Sequence, residues 1–484
     1  MKFLFDLNII SFSDQNSSAT KSVISDIPKL LNLLENAAFQ LYIHPTSLEQ
    51  VGDNEDHHAQ FDQILHKCEE LTAIETSEEE GDLVDADDLA HFSLDATEIA
   101  LLEAVLKNEV NFLITENNEI HRLSQHLGME SRVLTLPDAL ATVRGFSPQP
   151  LRTLPHIQLV HADQLKKDDE IFDSLREDYS EFDSWLEKIQ EEKRQVYLVQ
   201  EDNKHAAIAI LKREENNDIG IEGTVLKICT FKVGNVGSGY RYGELLLRSV
   251  FDYANSHGIP KTYLTCYPKQ EPLMRFLRRF GFDEHSKQEN GEIAFVKSFV
   301  PLSSDLQGLT PLESHIKFGP YCLISQGVGT YAVPIQPIYH QLLFPNLEEQ
   351  LSLLSESRPC GNSILKAYLC HSKIRILVPG SLLLFYRSGG LKRVEAIGVV
   401  DQCIRSSSAE EIAQFVGKRT VYSIEDIEDM SKKETLVILF RYAIEVPPVS
   451  LAEMLDNRAL SSHPQSITPI KPEAAQWIKE LIEQ

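Results

Sequence analysis

Apolar and polar residues alternate at period two through Val225-Leu-Lys-Ile-Cys-Thr-Phe-Lys-Val233, and beyond a glycine-rich gap Leu245, Leu246, Ser249, Val250 and Tyr253 recur at helical spacing. The first pattern predicts a strand and the second an amphipathic helix. Further on, Tyr263-Leu-Thr-Cys266 reads as a short strand, and Glu271–Phe282 as a helix that stops at Gly281. Near the amino terminus Lys2–Ile10 opens with an apolar strand that delivers Asp6 and Asn8 at its end. Leu41–Pro45 is a second strand, Thr97–Lys107 a helix, and Phe112–Asn117 a third strand. Strands alternating with helices predict a mostly parallel sheet, whose carboxyl ends gather polar residues into one place. From about Gly319 the pattern changes to closely spaced β-type runs: Arg375–Val378, Ser381–Tyr386, Val394–Val400 and Thr435–Phe440. Turns at Pro379-Gly380 and Ser388-Gly-Gly390 separate the first three, and the spacing predicts a small barrel.

The gap between strand and helix is Gly234-Asn-Val-Gly-Ser-Gly-Tyr-Arg-Tyr-Gly243. Glycines let a backbone approach an anion closely, and the first turn of the following helix offers N–H donors and the positive end of its dipole. Val233, Gly237, Ser238, Gly239, Arg241 and Gly243 are therefore candidate phosphate-cradle residues. With the later helix ending in Gly-Phe, the segment from about Ile157 to Val300 resembles the GNAT acetyltransferases. The resemblance implies acetyl-CoA, with its pyrophosphate on the turn, and transfer of acetyl to an amine. Two departures bear on mechanism. Ser238 stands where the family has Arg or Gln and Arg241 where it has its middle glycine, so Arg241 is either a phosphate contact or a solvated arginine at the helix start. Leu277 replaces the tyrosine that often protonates the leaving thiolate. Glu222, Cys266 and Tyr267 remain candidates for proton transfer, with structural roles as the alternative.

The N-terminal pattern resembles the PIN domains, which are metal-dependent ribonucleases. The resemblance implies Mg²⁺ or Mn²⁺ held by Asp6, by Glu49, and by Asp95 or Glu98, because hard cations take oxygen ligands. The family's late Thr-x-Asp becomes Thr115-Glu116-Asn117, so Asn117 would ligate through its amide oxygen, or Glu116 or Glu119 would substitute. A scaffold without nuclease activity is the alternative. In the C-terminal part, Pro-Gly-Ser followed by Leu-Leu-Phe-Tyr-Arg and later Ala-Ile-Gly-Val-Val resembles PUA-like barrels of the ASCH and EVE type, many of which handle RNA. That resemblance places Lys366, Tyr368, Tyr386, Arg387 and Ser388 near a ligand face, with Lys366, Tyr386 and Arg387 as RNA contacts. A barrel wall packed by tyrosines is the alternative.

Composition adds boundaries. The 484 residues suggest roughly three domains. Proline-bearing stretches at Phe146–Pro155 and Val300–Pro311 divide the chain into a PIN-like domain (1–148), a GNAT α/β domain (156–300) and a PUA-like β-barrel (319–484), together an α/β multidomain protein. The acidic run Glu75–Asp88 reads as a solvated loop. Seven cysteines without paired metal-ligand spacing suit reduced thiols in a cytoplasm, and no apolar run approaches a membrane span. A net charge of −26 argues against indiscriminate nucleic-acid coating. The expectation is an acetyl-CoA-dependent N-acetyltransferase in an RNA-related, toxin–antitoxin or phage-defence setting, with RNA, an antitoxin or another protein as partner. A PIN-type ribonuclease with an acyl-CoA-sensing domain, or a non-catalytic adaptor, are the other readings.

Overall fold

The computed structural model describes residues 1–11, 18–51, 91–147, 157–323, 327–347, 358–375 and 377–483. The acidic run and most of the first proline-bearing stretch lie outside these residues. Three sheets organise the chain. The first holds β1 (Lys2–Phe5), β2 (Gln40–Tyr42), β3 (Phe112–Ile114) and β4 (Val133–Leu134) in the order β2-β1-β3-β4, every pairing parallel. This is the predicted parallel sheet. Its apolar strands are buried on both faces, as parallel strands covered by helices should be.

The second sheet has seven strands: β5 (Ile157–His161), β6 (Gln195–Glu201), β7 (Lys204–Glu214), β8 (Val225–Val233), β9 (Lys261–Cys266), β10 (Asp283–Lys287) and β11 (Ile293–Ser298). The order is β10-β11-β9-β8-β7-β6-β5, antiparallel except where β8 meets β9. That parallel pair is bridged by the predicted helix, Tyr242–Ser256, whose Leu246, Leu247, Val250 and Ala254 are buried against the sheet.

The third sheet comprises β12 (Thr330–Ile335), β13 (Leu365–Cys370), β14 (Leu382–Arg387), β15 (Arg393–Ser406), β16 (Thr435–Ser450) and β17 (Thr468–Pro469), in the order β13-β16-β15-β14-β12-β17. The hairpin at Ser388–Gly390 is present, but two expectations need correction. Among the described residues no pairing joins β13 to β17, so the sheet does not close into a barrel. Arg375, Leu377 and Val378, the described residues of the first predicted run, are not in a strand either. The carbonyls of Ser372, Ile374 and Arg375 accept from the guanidinium of Arg405, which takes the place of a neighbouring strand.

The first and third sheets share one apolar cluster, in which Phe3, Leu140, Val143 and Phe146 are continuous with Val416, Tyr422, Phe385 and Phe440. The Leu136–Phe146 helix lies at the centre of this arrangement. Thr135 caps its start, and Pro137 sits where a missing N–H costs nothing. The helix therefore faces both the C-terminal sheet and, through Leu140, Ala141 and Arg144, the glycine turn that ends β8.

Candidate active site

β8 and β9 pair at Leu226↔Thr262 and Lys227↔Tyr263, and there the pairing stops although β8 continues to Val233 and β9 to Cys266. The carboxyl halves of the two parallel strands thus splay. On the other side of β8, register passes from Ile210↔Thr230 to Leu211↔Ile228, which makes Cys229 the extra residue of a bulge. Bulges redirect a backbone amide out of the ladder, and they collect beside active sites. The wedge between the strands ends at Phe231 and at Phe276 on the Glu271–Arg279 helix, their rings 5.8 Å apart.

The glycine turn closes the wedge. Gly234 to Gly237 form a tight bend in which a Cβ on Gly237 would stand 2.5 Å from the Ala206 carbonyl oxygen. Gly239 (φ +76°) and Arg241 (φ +61°) are both left-handed, and the helix begins at Tyr242. A Cβ on Gly243 would meet only Phe276 and Val233, at 3.7 and 3.8 Å. N-terminal helices grip the turn through two of its carbonyls and one hydroxyl. Lys29 donates to the Asn235 carbonyl (3.1 Å), Arg144 donates to the Ser238 carbonyl (2.7 Å), and the Ser238 hydroxyl pairs with Asp26. None of these three contacts uses a turn N–H, the kind of group an anion needs.

Arg241 is neither solvated nor aimed at an open cradle. Its guanidinium pairs with Asp138 (2.5 Å) and with Glu244, and Glu244 also accepts from the backbone of Ile364 (2.6 Å) and Leu365 (3.2 Å). Burial opposes the charge on Arg241, but the two carboxylates outweigh it and hold the guanidinium protonated. Burial likewise works against the Asp138 carboxylate, which Lys418 and Arg241 nevertheless hold well below the usual range. One buried atom of Arg241, Nε, has no hydrogen-bond partner among the described residues. Within the turn the N–H groups of Gly237, Ser238 and Tyr240 donate to the Gly234, Asn235 and Gly237 carbonyls.

The three proton-transfer candidates separate. Glu222 is exposed in the loop before β8. Cys266 is buried, and burial pushes its thiol up to about 11, so it stays protonated. Tyr267 follows β9 directly at the open end of the wedge, its ring 5.5 Å from that of Tyr179. Tyr179 donates to Glu292 (2.9 Å), and Thr265 donates to the other oxygen of the same carboxylate (2.9 Å). Tyr179 and Glu292 escape a reading of the sequence because each lies far along the chain from β9. Leu277 is fully buried in the core.

In the N-terminal sheet the predicted carboxylates gather at the carboxyl edge, where Asp6 and Asp95 both raise the pKa of Glu98 after burial itself. They are committed to the fold. Asp6 accepts from the Asn8 N–H (2.9 Å) and the Thr115 hydroxyl (2.7 Å); Asp95 and Glu98 cap each other's backbone; Asn117 caps its own helix and pairs with Glu98. Glu49 lies in the Pro45–Val51 helix, but its side chain falls outside the described residues. Among the described residues no group of three His, Cys, Asp or Glu side chains is placed to hold a metal ion, and no step is routed through one. Glu119 forms a surface pair with Arg122. Glu116 is half-buried, accepts from the Leu136 N–H (2.7 Å), and is pushed up to about 7 by burial. Because the unfolded chain ionises this group near 4.5, burial costs stability as pH rises from there through 7. Glu116→Gln should leave stability at pH 4 nearly unchanged and raise it at pH 8 by up to about 3 kcal/mol, measured by melting across that range.

The predicted RNA face also needs correction. Lys366 is fully buried, donates to the Cys360 (2.7 Å) and Gly361 (2.9 Å) carbonyls, and is pushed down to about 7 by burial. Tyr386 is fully buried with its ring against His463. Neither can stack a base or meet a phosphate, because β13 and β14 are covered on both faces. Tyr368 and Ser388 donate to the Pro334 and Ile335 carbonyls, and Arg387 remains half-buried at the end of β14.

Residues 160–282 match the model of the Acetyltransferase (GNAT) family. A GNAT acetyltransferase domain therefore occupies the segment that holds the splayed strands and the turn. Comparison with curated proteins gives no match. Similar solved structures include the PaiA N-acetyltransferase of Thermoplasma acidophilum in complex with coenzyme A, at 15% identity over 30% of this chain and 100% of that one, with a TM-score of 0.25. An IAA acetyltransferase from Bacillus cereus is similar at 14% identity over 30% and 99%, with a TM-score of 0.23. The ASCH protein of Zymomonas mobilis is similar at 14% identity over 32% and 95%, with a TM-score of 0.25. Such scores are too low to establish a shared overall fold. Among the described residues no helix is long and apolar enough to cross a membrane.

Proposed function

We propose that this protein transfers an acetyl group from acetyl-CoA to an amine, with the pyrophosphate on the turn from Gly237 to Gly243 and the thioester in the wedge between β8 and β9. The observation that carries the reading is the splay of the two parallel strands beside a bulge at Cys229, ending on a glycine turn, inside the segment that matches the family model. Acetyl-CoA supplies an activated carbonyl: the amine nitrogen forms the new C–N bond, the C–S bond breaks, the nitrogen gives up a proton and the departing sulfur takes one. The chain's own residues supply the surroundings. A bulge frees a backbone amide from the ladder, and such an amide beside the wedge can polarise a carbonyl oxygen. The return of a proton to sulfur is assigned to Tyr267, the hydroxyl-bearing residue that directly follows β9, with Tyr179 packed against its ring. Cys266 is a poor nucleophile because burial keeps it a thiol.

The test is transfer of labelled acetyl from acetyl-CoA to a panel of a polyamine, a lysine peptide and an amine-bearing nucleotide. Wild type should label at least one of them, and Gly243→Asp should lower the rate by about 100-fold or more, since a carboxylate in the cradle opposes the pyrophosphate. Equal rates in wild type and the folded variant would overturn the placement.

A further inference from the structure

A cavity of about 590 Å³ lies where the three sheets' units meet. Its walls come from the Asn118–His126 helix and the start of the Leu136–Phe146 helix, from the Glu271–Arg279 helix, and from the C-terminal unit at Asp401, Lys418, Arg419 and Arg441. We propose that this cavity is a binding site for a phosphorylated small molecule of nucleotide size. The volume is that of an ordinary small-ligand site.

Charge points to an anion. Eight Lys and Arg side chains line the cavity against four Asp and Glu, in a chain whose net charge is −26. Acids outside the lining offset part of this excess: Glu244 pairs with Arg241, Glu284 with Arg278 and Glu119 with Arg122. Arg279 and Arg419 share the single carboxylate of Glu130, at 3.3 and 3.0 Å, and Arg441 and Lys418 take Asp401 and Asp138. Arg275 makes no hydrogen bond or ion pair among the described residues. Burial lowers its pKa, and Glu271 and Asp138 act on it only through space. A cation partly withdrawn from water without a hydrogen-bonded anion is costly until one joins it. Guanidinium forks on several walls suit a group with more than one phosphoryl oxygen, and a single carboxylate would leave most of them unused. The remaining wall is apolar, with Phe276, Phe280, Ile316 and Leu365, a surface for a base or similar flat group. His121 completes it as a neutral ring, since burial pulls its pKa down to about 4 while Thr115 holds one nitrogen at 2.9 Å.

The ligand chemistry has two sources, a free nucleotide or the nucleotide half of CoA, because Arg241 of the glycine turn and Phe276, which lies beside Gly243, both line this cavity. The inference stands on the cavity lining and does not require acetyl transfer. The test is titration calorimetry of the full chain with ADP, pyrophosphate, adenosine and CoA, for wild type, Arg275→Ala and Arg275→Gln. ADP and pyrophosphate should bind wild type, with adenosine at least about tenfold weaker. The Arg275 variants should lose about tenfold to 100-fold in ADP affinity. If CoA weakens in parallel and competes with ADP, the occupant is the nucleotide half of CoA; if CoA is unaffected and binds together with ADP, it is a free nucleotide. Thermal melting of wild type gives a readout without mutation, in which ADP should raise the midpoint and adenosine should not. ADP binding no tighter than adenosine, or equally tight in folded Arg275 variants, would overturn the proposal.

Discussion

Asp138→Ala should destabilise the protein by about 3–5 kcal/mol, the cost of removing one partner from a buried ion pair. Among the described residues this carboxylate alone reaches both Arg241 and Lys418, and those cations come from separate units of the chain. Its loss leaves two positive groups in an already cation-rich cavity. Lys418, which burial brings down to about 7, can shed its proton and soften the penalty near neutral pH; Arg241 cannot. The pH dependence follows from the carboxylate's depressed pKa. A carboxyl held down in the folded state contributes stability above its unfolded value near 4, and loses that contribution as pH falls through its folded value. Wild type and Asp138→Ala should therefore differ most above pH 5 and converge in strong acid, as read from denaturant midpoints. A difference that is small and independent of pH would mean that the ion pairs do not hold the units together.

Gly239→Ala should cost about 2–4 kcal/mol, whereas Gly243→Ala should be neutral or stabilising by up to about 1 kcal/mol. Gly239 is left-handed, a conformation that costs an L-residue roughly 1–2 kcal/mol, and its Cβ would stand 2.5 Å from Leu140 Cβ and closer still to Arg144 Nη1. Leu140 Cβ is fixed to a packed helix and cannot yield cheaply. Gly243 lies in the first helical turn with ordinary contacts around its missing side chain, where alanine is the better helix former. Two glycines of one motif thus serve different ends. Gly239 admits the N-terminal helix, and Gly243 leaves the cradle open.

This division was not visible in the sequence, and the reason is physical. Period-two alternation ending in a period-3.6 helix marks strand, turn and helix by local geometry alone, so β8, the turn and the Tyr242–Ser256 helix were legible, as were the parallel sheet from Phe3 to Ile114 and the hairpin at Ser388–Gly390. What touches the turn is set by residues about a hundred positions or more away, Asp26, Asp138 and Arg144, and no local pattern carries that. Lys366 fails in the same way. Alternation in β13 shows which residues share a face, but both faces are covered, and a lysine that satisfies two carbonyls is indistinguishable in sequence from one that meets a phosphate. For the carboxylates of the N-terminal sheet, a shared edge of the sheet was the expectation that the resemblance carried. Their hydrogen bonds were invisible, and these turn a ligand set into helix caps.

The claim on which the rest depends is that acetyl-CoA lies on the turn from Gly237 to Gly243, and calorimetric titration of acetyl-CoA into wild type and Gly243→Asp tests it most directly. Gly243→Asp should fold as well as wild type, because a carboxylate in the first helical turn complements the dipole. Wild type should bind acetyl-CoA, and the variant should bind about 100-fold more weakly or not at all. Identical affinity in the two folded proteins, or no binding by wild type, would contradict the account.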